Sequence, residues 1–325
     1  MRVRVVGCSG SFSGPRSASS CYLVEHEAQG RTWRLVLDLG SGALGELQRY
    51  TDPTAVDAYL ISHLHPDHCI DLTGMYVTRT YRPEGPLADR LPVYGPAGAA
   101  ERLAAAYEGI DEGGMTGVLD FRRLSTSVPT HLGPFVVRAF RVNHPVEAYG
   151  FRVEADGRVL AYSGDTDACD ALTPLFADAD LVLVDSAFVE GRDEARGIHL
   201  TGRRAAEAAV AAGGVGRLML THIPAWNDPE VCRAEAAAVW PGEVELARPD
   251  ATYDVMQMQA KLDDVKLVRR ARDHMSIYES VVREEAKSLG EAGNLDFERM
   301  RDDIWDACRV LIDAGLSHDE VWARL

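Results

Sequence analysis

The sequence predicts an α/β fold in which helices cover the outer faces of sheets, with a helical segment appended at the C-terminus. Three observations carry this. Up to about residue 255 the chain is a succession of short β-branched runs separated by Gly, Pro and Asp; helix-like stretches interrupt those runs; and from about residue 257 both features give way to helical spacing.

The runs come in order. "MRVRVVG" alternates like a strand, then come "CYLVEHE", "WRLVLDLG" and "AYLISH", the last leading into "HLHPDHC". "LPVYGP" precedes the helix-like "PAGAAERLAAAYEG", and "FVVRAFRVNH", "YGFRVEA", "RVLAYSGD" and "LVLVDSA" follow. "TGRRAAEAAVAAGG" opens with Thr201 as N-cap and closes with Gly213 as C-cap, before "RLMLTH". Beyond it, Leu262, Val265, Val268, Met275, Tyr278, Val281 and Leu289, then Phe297, Met300, Ile304, Cys308 and Leu311, roughly follow helical spacing. The expected division is a domain over 1–256 and an α-helical extension over 257–325. The apolar stripe of the extension suits packing against the main body or a second subunit better than a ligand site.

With 325 residues and 46% hydrophobic content the chain has enough material for a real core, as a soluble globular protein rather than a disordered one. The formal charge of −16 argues against a surface for a long polyanion, which would need many Lys and Arg contacts. The opening residues lack the apolar run of a signal peptide and no stretch could span a bilayer, so a cytoplasmic location is expected. Cys8, Cys21, Cys69, Cys169, Cys232 and Cys308 lie far apart without a CxxC pair, and they read as reduced thiols.

Within "HLHPDHC", His63, His65, Asp67 and His68 are too dense for an incidental polar turn. On a tight loop after a strand, His63 and His65 can point to one metal ion while Asp67 and His68 turn towards a second. Imidazoles and a carboxylate without thiolates suit Zn²⁺, with Mn²⁺ or Fe²⁺ as alternatives. Downstream, "VNHP" (His144), "YSGDTD" (Asp165) and "LTHIP" (His222) each place one further potential ligand at the end of a strand-like run.

An HxHxDH motif followed by single His, Asp and His at such positions resembles the metallo-β-lactamase fold, an αββα sandwich with a dinuclear site at the edge of its two sheets. The resemblance covers residues 1 to about 255. It implies His63, His65 and His144 on one metal, Asp67, His68 and His222 on the other, Asp165 bridging, and two Zn²⁺ per chain. It also makes Asp38, in "LVLDLGSG", a residue that orients ligand histidines. The reaction class implied is hydrolysis by a hydroxide shared between the two cations.

His199, in "GIHLTGRRAAEAA", is similar to a histidine of the ribonuclease Z-like branch; by resemblance it contacts the phosphate and protonates the leaving oxygen, a suitable task for an imidazole. His199 and Asp67 are the candidate catalytic residues. "LPVYGPAG" and "YSGDTD" also resemble this branch. The ribonuclease Z enzymes, however, carry a long insertion between the ligands matching His144 and Asp165, which grips transfer RNA; here residues 145–164 leave no length for such an arm. What remains resembles the small cyclic nucleotide phosphodiesterases, of actinobacterial and anti-Pycsar type, an affinity that "ALGELQRY" and "HCIDLTGMYVTRTYRP" reinforce for the first.

The expected activity is therefore hydrolysis of 3',5'-cyclic nucleotides to nucleoside 5'-monophosphates, with a small cyclic nucleotide as partner, neither long nucleic acid nor membrane, and a homodimer as in related enzymes. The alternatives are a ribonuclease Z-like nuclease, a 2',3'-cyclic phosphate phosphodiesterase, or a non-catalytic binding protein on the same scaffold, against which the filled ligand positions speak. Tyr76, Tyr81, Phe188 and Trp226 are aromatics near the motifs that could stack on a base, and Arg79 or Arg82 could meet a phosphate; each is more often core or solvated surface. His26 falls in a charged loop by this reading and His131 at a turn; both, with His274 and His318, are read as structural or exposed.

Overall fold

Alternation of inward and outward apolar residues builds two sheets from one chain. The computed structural model describes residues 1–107 and 114–256, so the helical extension expected over 257–325 lies outside the described residues. The first sheet contains β1 (Arg2–Ser9), β2 (Ala18–Ser19), β3 (Cys21–Ala28), β4 (Arg31–Leu37), β5 (Ala58–Leu60), β6 (Leu91–Gly95) and β7 (Leu119–Arg123). The second contains β8 (Thr130–Leu132), β9 (Phe135–Arg141), β10 (Tyr149–Ala155), β11 (Arg158–Tyr162), β12 (Leu181–Asp185), β13 (Leu218–Thr221) and β14 (Val244–Leu246). β15 (Thr252–Asp254) returns to the first sheet, pairing antiparallel with β1.

The helices are α1 (Ala43–Leu47), α2 (Pro66–Cys69), α3 (Leu72–Thr80), α4 (Ala99–Ala106), α5 (Gly114–Val118), α6 (Leu172–Phe176), α7 (Gly202–Ala211) and α8 (Pro229–Ala237). Three apolar layers follow from the two-residue period of the strands. Val3, Val5, Leu35, Leu37, Phe135, Phe151, Leu181 and Leu183 meet between the sheets. Val36 and Tyr59 point the other way, against Leu47, Leu72, Met75 and Leu103 of the helices on the first sheet. Val182 and Val184 face Leu175, Phe176, Ala205, Ala209 and Cys232 on the second. This is the expected αββα sandwich.

Both sheets mix antiparallel with parallel pairing, and the parallel parts matter most for the site: β4, β5, β6 and β7 run parallel, as do β11, β12, β13 and β14. Their C-terminal ends meet at one edge of the sandwich, where ligand-carrying loops gather in such sheets.

Several sequence expectations shift in detail. "HPDHC" is not a bare loop; Pro66–Cys69 forms the one-turn helix α2, because Pro66 presets the first helical φ and gives up an amide that would have no partner anyway. Thr201 does cap α7, accepting from the amide of Arg204, but the C-cap is Ala212, and Gly213 with φ 94 follows it. His26 lies within β3, not in a loop, buried with its Nε2 2.9 Å from Asp156 Oδ2. Cys8, Cys21, Cys69, Cys169 and Cys232 carry free thiols. No helix among the described residues is long and apolar enough to cross a membrane.

Candidate metal centre

Each expected donor sits just past a strand. β5 leads to His63; β9 leads to His144; β11 to Asp165; and β13 to His222. His65 is the N-cap of α2, and the single turn that follows swings Asp67 and His68 inward. Backbone approach is close enough to dictate residue type: a Cβ at Gly10 would collide with the carbonyl of His222, and one at Gly40 with that of Asp67. His222 itself is held at φ 57, a left-handed conformation that a bulky side chain adopts only when its surroundings fix it.

The donor atoms form two groups that share one carboxylate. In the first, His65 Nδ1 lies 3.0 Å from His63 Nε2 and 3.3 Å from His144 Nε2, and Asp165 Oδ2 is 3.6 Å from His63 Nε2. In the second, His68 Nε2 stands 3.3 Å from Asp67 Oδ2, 3.1 Å from Asp165 Oδ1 and 3.1 Å from His222 Nε2. His222 Nε2 closes the group at 3.2 Å from Asp67 Oδ2 and 3.3 Å from Asp165 Oδ1.

These separations test the fit of a cation. Four N or O donors set tetrahedrally at about 2.0–2.1 Å from a Zn²⁺ ion lie about 3.3 Å from one another. The distances of the second group fall on that value. Hydrogen bonding alone does not account for them, because one imidazole N–H cannot point at three neighbours, and buried Asp165 Oδ1 makes no well-aligned hydrogen bond at all. The atoms converge on a point between them, as a divalent cation requires, and Asp165 turns one oxygen to each group.

Electrostatics agree with this. Burial holds His63 well below the ordinary imidazole value and lowers His65 and His144 too, so these rings stay neutral with a free lone pair. Burial also opposes charge on His68 and His222, but Asp165 and the neighbouring carboxylates outweigh it, lifting His68 well above its usual range and His222 to about 10. Asp67 and Asp165 resist burial in the same way, kept well below the carboxylate range by the imidazoles. The second group is thus an anionic pocket that demands positive charge.

Around the donors, acceptors set the imidazoles of His68, His144 and His199. Asp38 Oδ2 lies 2.7 Å from His68 Nδ1 while also accepting from Ser62 Oγ and Tyr162 Oη; its Oδ1 takes the Ser62 amide. Nδ1 of His144 donates to the Ile198 carbonyl at 2.9 Å, leaving Nε2 for the first group. His199 Nδ1 is 2.8 Å from Asp185 Oδ2, and that carboxylate also accepts from the amides of Thr166 and Ala187. Asp165, Asp185, His199 and His222 bring ligand-type atoms within 4.8 Å of one another.

Asp185 was not singled out by sequence reasoning. Its signal was present: a lone carboxylate ending the apolar strand "LVLVD", the same pattern that marks Asp38 and Asp165. Asp167 was missed too; its carboxylate pairs with the guanidinium of Arg204 and accepts from the Gly197 amide, tying down the loop that carries His199. A cavity of about 190 Å³ opens beside His199, lined by Ser11, Phe188, Arg192 and Trp226 among others. Of the other aromatic and basic candidates, Tyr76 and Arg79 are buried, with Arg79 bonded to Asp89, and Tyr81 packs on Tyr76.

Comparison with known proteins places this geometry in a family. Residues 34–223 match the family described as the beta-lactamase superfamily domain. An uncharacterized protein of Mycobacterium leprae is 40% identical over 260 residues, covering 78% of this chain and 89% of that protein. The crystal structure of the metallo-β-lactamase fold protein YhfI from Bacillus subtilis superimposes with a TM-score of 0.67 at 27% identity, over 78% of this chain and 99% of that one. Ribonuclease BN of Escherichia coli is 26% identical over 289 residues, covering 71% of this chain and 92% of that enzyme.

Proposed function

Because the chain belongs to the beta-lactamase superfamily of metal-dependent hydrolases, we propose that it is a dinuclear phosphodiesterase cleaving 3',5'-cyclic nucleotides to nucleoside 5'-monophosphates. His63, His65 and His144 would hold one Zn²⁺, Asp67, His68 and His222 a second, with Asp165 between them. Cations so placed lower the pKa of water towards neutrality and stabilise charge on phosphoryl oxygens.

The observation that carries the reading is His199 on Asp185. Asp185 accepts from Nδ1, so Nε2 is left for the substrate side of the ring. Burial disfavours the charged ring, but Asp185 outweighs it and holds His199 above its usual value, favouring the proton-bearing form. An alkoxide leaving group needs that proton, whereas the thiolate of a thioester leaves without one. Substrate size is supported by the link between His144 and Asp165. β10 and β11 and their tight Asp156–Gly157 turn occupy it, with no arm to grip a folded RNA.

Similarity to ribonuclease BN favours a second reading, RNA cleavage. Purified, metal-analysed protein incubated with cyclic nucleotides, dinucleotides and precursor transfer RNA separates the two. Conversion of 3',5'-cyclic nucleotides to 5'-monophosphates is expected; preference for the precursor overturns the proposal.

A further inference from the structure

We infer that Trp226 and Phe12 form the platform on which the base of the substrate stacks, an inference that rests on the cyclic nucleotide reading above. The two rings lie 4.7 Å apart between centroids, tilted by 39°. Trp226 is 66% exposed and Phe12 39%, among the most exposed large apolar side chains of the described residues. Their backbones, by contrast, are pinned. Asn227, next to Trp226, is buried; its amide donates to the Pro224 carbonyl, its Nδ2 to the Ala187 carbonyl, and its Oδ1 accepts from Arg192. On the other loop, Ser9 Oγ donates to the Phe12 carbonyl at 2.8 Å, and the Gly10 amide donates to the Ile223 carbonyl.

Rigid loops holding aromatic rings out in water suit recognition, since the ordering cost is met before a ligand arrives. Location decides which ligand. Trp226 lies four residues after His222, and lines the same cavity as His199, with Phe188, whose ring centroid is 5.1 Å from that of His199. A substrate whose leaving oxygen meets His199 therefore brings its attached group into a cavity with an aromatic wall. A flat heteroaromatic base fits such a wall through its π-face, and Ser11, Arg192 and Asp193 add polar lining to the same cavity. A substrate with a purely aliphatic group would gain little there.

The test compares wild type, Trp226→Ala, Trp226→Tyr and Phe12→Ala on a 3',5'-cyclic nucleotide and on the matching cyclic ribose phosphate without a base. Loss of one stacking partner should raise KM for the nucleotide by about 5- to 150-fold with kcat little changed. Trp226→Tyr should recover most of the loss, and the baseless substrate should respond to none of the variants. Equal losses on both substrates overturn the platform, as does an unchanged KM. A shift in sedimentation with the same loss on both substrates would make the pair a contact between copies instead. If the wild type hydrolyses the baseless or other phosphodiesters but no cyclic nucleotide, the reading of the whole site fails, and the platform with it.

Discussion

Asp38 Oδ2 lies 2.7 Å from His68 Nδ1, and both side chains are fully buried. The contact holds a proton on Nδ1 of His68, so Nε2 is the nitrogen that would give up its proton to a cation in the group formed with Asp67, Asp165 and His222. Asp38→Asn keeps the volume but turns an acceptor into a donor at this position. Metal affinity should fall by about 10- to 100-fold, as for other partners of ligand histidines. Competition with a chromogenic chelator measures it; an unchanged affinity would mean that the ring needs no such support.

Removing the shared carboxylate acts more directly. In Asp165→Ala both groups lose a donor at once, and the imidazoles of His68 and His222 lose the negative charge that Asp165 sets against them. Elemental analysis after dialysis should show lower metal content than wild type, not merely lower turnover. Treating the wild type with a strong chelator should abolish activity, and adding back Zn²⁺ should restore it.

His199→Ala should retain both metals yet lose most turnover on substrates with an alkyl leaving group. A nitrophenyl phosphodiester, whose leaving group needs little protonation, should be affected far less. Asp185→Asn should show the same asymmetry in weaker form, because the ring remains but loses its carboxylate partner. Equal losses on the two ester types would remove the proton-donor role.

Much of this site could be read from the sequence because its donors sit one after another where apolar strands end. His63, His65, Asp67 and His68 fall within six residues, and His144, Asp165 and His222 each follow a run of alternating or buried apolar residues. Asp185 ends such a run as well, yet its role depends on a partner fourteen residues away across a loop, and sequence spacing carries no record of that pairing. Phe188 and Trp226 were visible only as aromatics near motifs; what separates them from Tyr76 is burial, which only packing decides. The short strands β7, β8, β14 and β15 were passed over for a related reason. Runs such as "THL" and "VEL" are too brief to show a period, and edge pairing supplied by a neighbour makes them strands.

The loop bearing His199 depends on Arg204. From α7 the guanidinium pairs with buried Asp167 and donates to the His199 carbonyl at 3.0 Å. Thr201 fixes the start of that helix by accepting from the Arg204 amide. Arg204→Ala strands the Asp167 carboxylate without its cation, and breaking a buried pair from one side costs about 3–5 kcal/mol. The amides of Gly197 and Ala168 still reach Asp167, so the lower end of that range is expected. Arg204→Lys keeps the charge but cannot bridge Asp167 and the His199 carbonyl through a planar fork. It should therefore recover stability in urea unfolding of the metal-loaded protein, while kcat on substrates with poor leaving groups stays depressed. Full recovery of both quantities in the lysine variant would show that Arg204 contributes charge alone and leaves the placement of His199 to Asp185.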